Sequence, residues 1–318
     1  FLHQHGAEVH LQPTVGHRHL AGPLVATLSA LGVTLAAGLV APLPAIALFL
    51  GLAWGAIRDV DGGCGWFRRM LPRRPGWVAE AVLTPPDRDA PPTVVVWLPV
   101  VPQQNGPLRS TRAARVLVLG LVALGAVGAL AVLLHDPLGV PGVELLAAGC
   151  AALFVVAALL AGAVLRLRRP AAAEADLAGF LRGFLETLRA DPPPRARIIL
   201  LVGSEGATWY DDLGVWLANR LRRYGADRTV LLALQPAPSS PLGVVTRDGL
   251  LRHHRPPPAL LDALSPCRLP PVDGRTGALR AARHRLSAIG IQGPVLADPD
   301  RVGTAVRCLS SMLTAEHA

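Results

Sequence analysis

The stretches ARVLVLGLVALGAVGALAVLL (residues 114–134) and ELLAAGCAALFVVAALLAGAVL (residues 144–165) decide the fold of this chain. Each one reaches the length of about 20 apolar residues that a helix needs to cross the hydrocarbon core of a bilayer. A surface helix of a soluble protein keeps a polar stripe along one face, and neither stretch has such a stripe. The two stretches therefore predict a pair of membrane-spanning helices, with Arg115 near one end of the first.

Two more apolar stretches precede this pair, at residues 20–40 and 42–57. The second is short, and Pro42 and Pro44 crowd its start. Four such helices without a polar stripe would have little to face in a soluble core, which disfavours the alternative of buried core helices. The sequence thus predicts four transmembrane helices arranged as two hairpins.

The hairpins divide the chain into five predicted parts. They are an N-terminal fragment of an α/β domain (1–19), a first transmembrane hairpin (20–57), an α/β segment with one or two strands (58–112), a second hairpin (113–165) and the main α/β domain (166–318). The chain begins at Phe1, inside what reads as a helix running into a strand. We therefore expect a further element to precede it.

Positive charge in this chain follows the apolar stretches. The 318 residues carry a net charge of +9, and all 31 basic residues are arginine. A basic chain can indicate nucleic-acid binding, but here arginines flank the hairpins and are absent from their short turns at 41–44 and 135–142. The positive-inside rule then predicts a multi-pass protein with its soluble domain on the cytoplasmic side. We expect the lipid bilayer as its partner and no nucleic acid.

Composition points to a bacterial source and a reducing compartment. Exclusive use of arginine together with abundant alanine, glycine and proline is typical of GC-rich bacterial genomes, so we expect the bacterial inner (cytoplasmic) membrane. The four cysteines show no CxxC spacing, which predicts neither a zinc finger nor a disulfide framework. Free thiols fit a reducing compartment.

Outside the apolar stretches, strand patterns alternate with helix patterns. The run TVVVWLPVV (93–101) is typical of a strand buried on both faces of a sheet. Strands are also predicted at 7–12, 198–202 and 229–234, with a strand-like segment at 295–297. Helices are predicted at 172–190, 213–224 and 302–313, and short ones at 259–264 and 279–289. This alternation predicts an α/β fold whose sheet is assembled from three separated segments.

The order of these elements resembles the two-zinc aminopeptidases of peptidase family M twenty-eight, in their multi-spanning bacterial form. The segments that carry the resemblance are GAEVHLQP (6–13), WFRRMLPRRPGWVAEAV (66–82), TVVVWLPVV (93–101), IILLVGSEG (198–206), DRTVLLALQ (227–235), LGVVTRDGLLRHHRPPPALLDAL (242–264) and DPDRV (298–302). The resemblance covers most of the chain. It implies an aminopeptidase-like mixed sheet flanked by helices, here interrupted by the transmembrane hairpins.

The metal-ligand positions of that family are occupied here by other residue types. By the resemblance, the His-x-Asp ligands correspond to Pro99 and Val101, and the late histidine is absent beside Asp298 and Asp300. The second glutamate of the pair corresponds to Gly206, the strand-end aspartate to Gln235, and the bridging aspartate to Glu174, or to Asp176 if the register slips. Zinc sites require three or four N, O or S side-chain ligands, so the resemblance implies a degenerate zinc site.

Glu205 falls on the general-base position of the family. A carboxylate there deprotonates a metal-bound water, and it has no such role without the metal. The sequence therefore predicts an integral membrane pseudopeptidase with a binding or scaffolding role, no cofactor and an unknown protein partner. The alternative is an active zinc-dependent membrane aminopeptidase whose ligands are rearranged. A third interpretation is a structural membrane protein that packs against a partner subunit.

The other polar groups are better explained by structural roles than by catalysis or ligand binding. GSEG (203–206) follows a strand but lacks the spacing and the lysine of a phosphate-binding loop. His253 and His254 are adjacent, and adjacent side chains of a helix do not face one site, which favours solvated polar residues over a metal pair. Trp209 and Tyr210 fit the packed start of a helix.

Overall fold

The computed structural model of the chain describes residues 8–16, 21–60, 70–71, 74–83, 91–99, 111–138, 142–166, 173–193, 196–203, 212–237, 240–249, 253–274 and 276–316. The chain divides into two compact units. One comprises His17–Arg74 and Gln104–Arg169, and is called here the apolar helical unit. The other comprises Phe1–Gly16, Pro75–Gln103 and Pro170–Ala318, and is called the α/β unit.

Four helices form the described part of the apolar helical unit. They are α1 (Ala21–Ala37), α2 (Pro42–Val60), α3 (Thr111–Leu138) and α4 (Val143–Arg166). Two of them are long and apolar enough to cross a membrane: α3 over Arg115–Leu134 and α4 over Val143–Ala161.

Four spanning helices were predicted; in the described chain only α3 and α4 have the length and apolar composition for it, and α1 and α2 fall short. Both are apolar helices, but their apolar segments, Gly22–Ala37 and Pro42–Arg58, are shorter. The 17 residues of α1 extend about 25 Å at 1.5 Å per residue, less than the roughly 30 Å of a hydrocarbon core. In α2 the charged pair Arg58 and Asp59 ends the apolar segment before a full span is reached.

A tightly packed interior holds the apolar helical unit together. Leu28, Leu31 and Leu35 of α1 pack with Phe49 of α2 and Phe154 of α4. The rings of Phe49 and Phe154 meet edge to face, with centroids 6.3 Å apart. In each of the two long apolar segments of α3 and α4, 28% of the residues are buried, and many of the others are exposed leucines and valines. That outward apolar surface is what a helix in lipid presents, whereas the core helix of a soluble protein is mostly buried.

An eight-stranded mixed sheet forms the centre of the described α/β unit. Its strands are β1 (Glu8–Gly16), β2 (Arg74–Leu83), β3 (Thr93–Pro99), β4 (Arg197–Gly203), β5 (Thr229–Pro236), β6 (Gly243–Asp248), β7 (Pro271–Gly274) and β8 (Ser287–Gly293). The order across the sheet is β1-β2-β4-β3-β5-β8-β6-β7. The sequence-based prediction of an α/β fold with a sheet drawn from three separated segments is confirmed.

The middle of the sheet is parallel, and its two margins contain antiparallel pairs. β4, β3, β5 and β8 run parallel to one another, whereas β2 pairs antiparallel with β4 and β6 antiparallel with β8. Every residue of β3 is buried. Continuous burial is expected of a parallel strand covered on both faces, and it explains the uninterrupted apolar run at 93–99.

Helices cover both faces of this sheet. The helices of the α/β unit are α5 (Ala173–Ala190), α6 (Asp212–Tyr224), α7 (Pro258–Ala263), α8 (Ala278–Arg283) and α9 (Pro299–Glu316). On one face, α5 and α9 pack against Val94, Val96 and Leu98 of β3. On the other face, α6 and α8 pack against Val95 and Trp97. Alternate residues of one strand therefore enter two separate cores, as the period of two in a strand requires.

Two predicted segments have a different structure from the one expected. The helix predicted at 279–289 ends at Arg283, because Arg285 turns the chain with a φ of 59°, and β8 follows. Pairing of β8 with β5 buries Ile289 and Ile291, and the β-branched residues of this segment suit a strand. The strand-like segment Val295–Ala297 is a single 3₁₀ turn.

Candidate functional site

Two of the residues that the resemblance assigns to metal binding lie at the carboxyl ends of parallel strands. Pro99 ends β3 and lies opposite Gly203, the last residue of β4. Gln235 lies near the end of β5, opposite Gln292 of β8. Since β4, β3, β5 and β8 are parallel neighbours, their carboxyl ends share one edge of the sheet. Pro99 and Gln235 therefore lie at the ends of adjacent strands.

The described side chains at this edge offer little to a metal ion. Proline has no side-chain donor atom, so Pro99 cannot act as a ligand. The side-chain amide of Gln235 has its Oε1 buried without a hydrogen-bond partner among the described residues, and its Nε2 lies 3.5 Å from the carbonyl oxygen of Pro236. The indole of Trp97 lies across Gly203, where any side chain would overlap it. This end of β4 is therefore filled by an aromatic ring.

The remaining predicted site residues are only partly visible. Val101, Glu205 and Gly206 lie outside the described residues. Glu174 lies in the first turn of α5, and its side chain is outside the described part. The described ranges contain no group of three or more His, Cys, Asp or Glu side chains that could hold a metal ion.

Asp298 and Asp300, beside which the late histidine of the resembled family is absent, have structural contacts in the described chain. Asp298 accepts a hydrogen bond from the backbone amide of Arg301 at 3.2 Å and forms an ion pair with its guanidinium at 3.4 Å. Asp300 accepts a hydrogen bond from the hydroxyl of Thr187. These contacts fix the start of α9 against α5.

A buried carboxylate, Glu80 of β2, has several hydrogen-bond donors around it. Its side chain is 1% exposed. Gln12 Nε2 donates to Oε2 at 2.6 Å, Trp216 Nε1 donates to Oε2 at 3.1 Å, and the Tyr224 hydroxyl donates to Oε1 at 3.0 Å. The guanidinium of Arg220 lies 3.9 Å away. A buried charge is stable only with such pairing, so Glu80 joins β1, β2 and α6.

The surroundings of Tyr224 hold it in the protonated state. Its ring stacks on Trp216 with centroids 6.0 Å apart, and the guanidinium of Arg197 lies 5.3 Å from the ring centre. Burial, followed by the negative charge of Glu80, raises the pKa of the Tyr224 hydroxyl. The phenol therefore remains a donor to Glu80 across the physiological range.

A second buried carboxylate, Asp248, lies at the end of β6. It accepts hydrogen bonds from the backbone amide of Thr276 at 2.6 Å, from the Thr276 hydroxyl at 3.0 Å and from the backbone amide of Leu279 at 2.8 Å. Burial raises the pKa of this carboxyl group, and the hydrogen bonds from Thr276 and Leu279 oppose the rise. Asp248 thus anchors the start of α8 to the sheet.

A cavity of about 790 Å³ opens beside this anchor. Its cationic lining consists of Arg247, Arg255 and Arg285, with His254 between them along the chain. The apolar lining includes Pro256, Pro257, Pro258, Leu261 and Leu286. Its size and its apolar walls with a few convergent polar groups are those of a small-molecule site.

His253 and His254 are placed by the chain leading into this cavity, and not by a helix. The backbone of His254 pairs with that of Asp248 through two hydrogen bonds of 2.9 Å. The ring nitrogen Nε2 of His254 lies 3.0 Å from the carbonyl oxygen of Ala288. The ring of His254 is thus tied to β8, whereas His253 is exposed.

No protein-family model matches this chain, and no curated protein sequence matches it either.

Sequence reasoning missed both buried carboxylates and the cavity. Glu80 lies in a segment, RPGWVAEAVL, whose alanines and glutamate do not read as a strand. For the cavity a signal was present, since TRDGLLRHHRPPP (246–258) combines basic residues with three successive prolines. That signal does not show that Arg285 lies nearby, because it comes from a separate turn.

Proposed function

We propose that this chain is an integral membrane pseudopeptidase: a membrane-spanning protein whose α/β unit is built like that of the two-zinc aminopeptidases but lacks their metal site, and which acts by binding. The observation that carries the proposal is the pair of strand ends at Pro99 and Gln235. These positions correspond to metal ligands by the resemblance, and they lie at neighbouring carboxyl ends of parallel strands. A proline and a carboxamide stand there in place of ligating side chains.

The packing around these strand ends supports the same conclusion. A two-zinc site needs a polar, water-accessible space in which carboxylates and imidazoles converge. At this edge the indole of Trp97 fills the space above Gly203. The same ring also reaches Gly277, since a Cβ added at Gly277 would lie 3.1 Å from Cδ1 of Trp97. Such an aromatic filling stabilises the sheet edge at the expense of room for a hydrated metal centre.

The membrane part of the proposal rests on α3 and α4 and on the arginines that flank them. We place the protein in the bacterial inner membrane with its α/β unit on the cytoplasmic side, because arginines precede α3 and follow α4 whereas the connection between the two helices has none. Binding of a protein partner on the cytoplasmic side of the membrane is the role that remains for an α/β unit without catalysis.

The proposal is tested by the zinc content and the peptidase activity of the detergent-purified full chain. After dialysis against trace zinc, we expect well under one zinc per chain by elemental analysis and no hydrolysis of aminoacyl substrates above background. Glu205→Gln should change neither quantity. The matched control is Glu186→Gln, which alters an exposed glutamate of α5.

The opposite result would establish the alternative enzyme. One or two tightly held zincs per chain, with hydrolysis that a chelator abolishes and Glu205→Gln removes, would mean an active aminopeptidase with rearranged ligands. Glu174, Asp176 and Glu205 are the carboxylates to substitute next in that case.

A further inference from the structure

The cavity beside Asp248 concentrates positive charge that the described chain does not neutralise. Arg247, Arg255 and Arg285 all line it. Within the described ranges, none of these guanidinium groups forms an ion pair with a carboxylate. The nearest carboxylate along the chain, Asp248, is turned to Thr276 and Leu279 instead. Like charges held around one space favour an anion in it.

Arg247 carries a buried donor that no described residue satisfies. Its Nε atom is buried and has no hydrogen-bond partner in the described part of the chain. A buried donor without an acceptor is destabilising, because it has lost its water and gained nothing in return. An anionic oxygen bound in the cavity would supply that acceptor. Guanidinium groups suit this role, since their planar fork matches the oxygens of phosphate and carboxylate.

The cavity is held open by structure that does not depend on a ligand. The ladder between β6 and β7 is irregular between Val245 and Arg247, and such an irregularity redirects a side chain. The backbone pairing of His254 with Asp248 fixes the segment that follows. The three prolines from Pro256 to Pro258 restrict that segment further. Binding therefore costs little ordering of the protein.

The apolar walls distinguish this cavity from a site for a bare ion. Pro256, Leu261 and Leu286 contribute apolar surface next to the arginines. A ligand that matches both the arginines and the apolar walls has a compact, multiply charged anionic group attached to an apolar part. Three arginines match the two negative charges of a phosphate monoester better than the single charge of a carboxylate.

We propose that this cavity binds a small organic phosphate ester, with the phosphate against Arg247, Arg255 and Arg285 and the apolar part against the proline segment and Leu286. Binding here does not depend on whether the α/β unit carries a zinc site. The phosphate group can belong to a soluble ester or to a lipid headgroup, and the choice of probes separates the two sources.

The test is calorimetric titration of the detergent-purified full chain with phenyl phosphate, inorganic phosphate and short-chain phosphatidic acid. We expect at least one of the two esters to bind, more tightly than inorganic phosphate, and more weakly as salt concentration rises. Tighter binding of phenyl phosphate identifies a soluble ester as the ligand, and tighter binding of phosphatidic acid identifies a lipid. Either result supports the site.

Matched variants connect binding to the cavity. Arg285→Asn and Arg255→Gln should each weaken binding of the ester about tenfold, which corresponds to the loss of one charge-assisted hydrogen bond. Arg268→Asn is the control, because Arg268 is also an exposed arginine with a positive φ, 49° against 59° for Arg285, and it does not line the cavity. Asparagine tolerates this backbone conformation.

Three results would overturn the proposal. They are failure of both esters to bind the wild-type chain, equal weakening by Arg268→Asn, and binding of inorganic phosphate as tight as that of the esters. Since Arg255 and Arg285 are exposed, their variants should fold, and a circular dichroism spectrum unchanged from wild type checks this.

Discussion

At the scale of single residues, Glu80 is a buried carboxylate whose partners come from two other elements of the described chain. Its two oxygens accept hydrogen bonds from Gln12, Trp216 and Tyr224. In Glu80→Gln an NH₂ group replaces one of these oxygens. That group can only donate, so the donor that faced the lost oxygen no longer has an acceptor. We expect a loss of about 2 kcal/mol in the free energy of unfolding. Urea unfolding of the full chain in detergent, followed by tryptophan fluorescence, measures it.

The control for this substitution is Glu186→Gln, at an exposed position of α5. An exposed carboxylate without buried partners should change stability by less than about 0.5 kcal/mol. Equal effects of the two variants would mean that the hydrogen bonds of Glu80 contribute nothing specific.

Cys267 is a residue whose chemistry is set by burial. Burial, followed by the neighbouring Cys308, raises the pKa of its thiol from 9.0 to about 12. Because the thiolate is the reactive form, native Cys267 should be alkylated more than a hundredfold more slowly at pH 8 than in the unfolded chain. The rate should keep rising with pH up to about 12. Mass spectrometry of timed iodoacetamide reactions at several pH values tests this.

The same shift has a consequence for stability. The folded state holds the proton of Cys267 more tightly than the unfolded state, so this thiol's contribution to stability is complete below pH 9.0 and is lost as the pH rises toward about 12. Cys308→Ala removes the neighbouring thiol and should lower the pKa of Cys267. A reaction rate in the native chain equal to that in urea would refute the prediction.

At the scale of elements, glycines determine how closely the helices of the apolar helical unit pack. A Cβ at Gly32 of α1 would lie 2.9 Å from the carbonyl oxygen of Ala151 and 3.2 Å from Cβ of Phe154, both on α4. Gly32→Ala should therefore push α1 away from α4 and destabilise the unit by about 1–3 kcal/mol. Thermal unfolding in detergent, followed by helical circular dichroism, measures the loss.

Gly120 of α3 is the matched control, since a Cβ there would have no neighbour within 4 Å. Gly120→Ala should leave stability unchanged or raise it slightly, because alanine has the higher helix propensity. A melting temperature lowered equally by both substitutions would show that close packing at Gly32 is not the cause.

At the scale of the whole molecule, the arrangement of α3 and α4 predicts which parts of the chain share a side of the membrane. Two consecutive spanning helices return the chain to the side from which it entered. A cysteine introduced at Asp136, near the connection between α3 and α4, should react with a membrane-impermeant maleimide in intact cells. A cysteine introduced at Asp176 of α5 should react only after lysis. Both are made in a chain whose natural cysteines are replaced by alanine.

Two labelling outcomes would contradict the predicted orientation. Reaction at Asp176→Cys in intact cells, with none at Asp136→Cys, would place the α/β unit outside the cytoplasm. Equal labelling at both positions would mean that α3 and α4 do not cross the membrane. The arginines that flank these helices are the physical reason for the predicted orientation.

Local features of the chain determined several elements on their own. The two helices that are long and apolar enough to cross a membrane followed from apolar length. Strands β3, β4 and β5 followed from short aliphatic runs, because burial on both faces removes the alternation of a half-buried strand. Helices α5 and α9 followed from their apolar faces. Pro99 and Gln235 could be placed at strand ends for the same reason.

Tertiary structure alone decided the rest. The helix predicted at 279–289 included the first three residues of β8, which pairing with β5 makes part of a strand. The partners of Glu80 come from 68 and more residues away along the chain. Arg285 reaches the cavity from a turn that is separate from the segment with Arg247 and Arg255. Contacts of this kind are non-local, since sheet pairing and helix packing bring distant residues together. A sequence shows which residues prefer burial, but the partners of a buried charge are chosen by the completed fold.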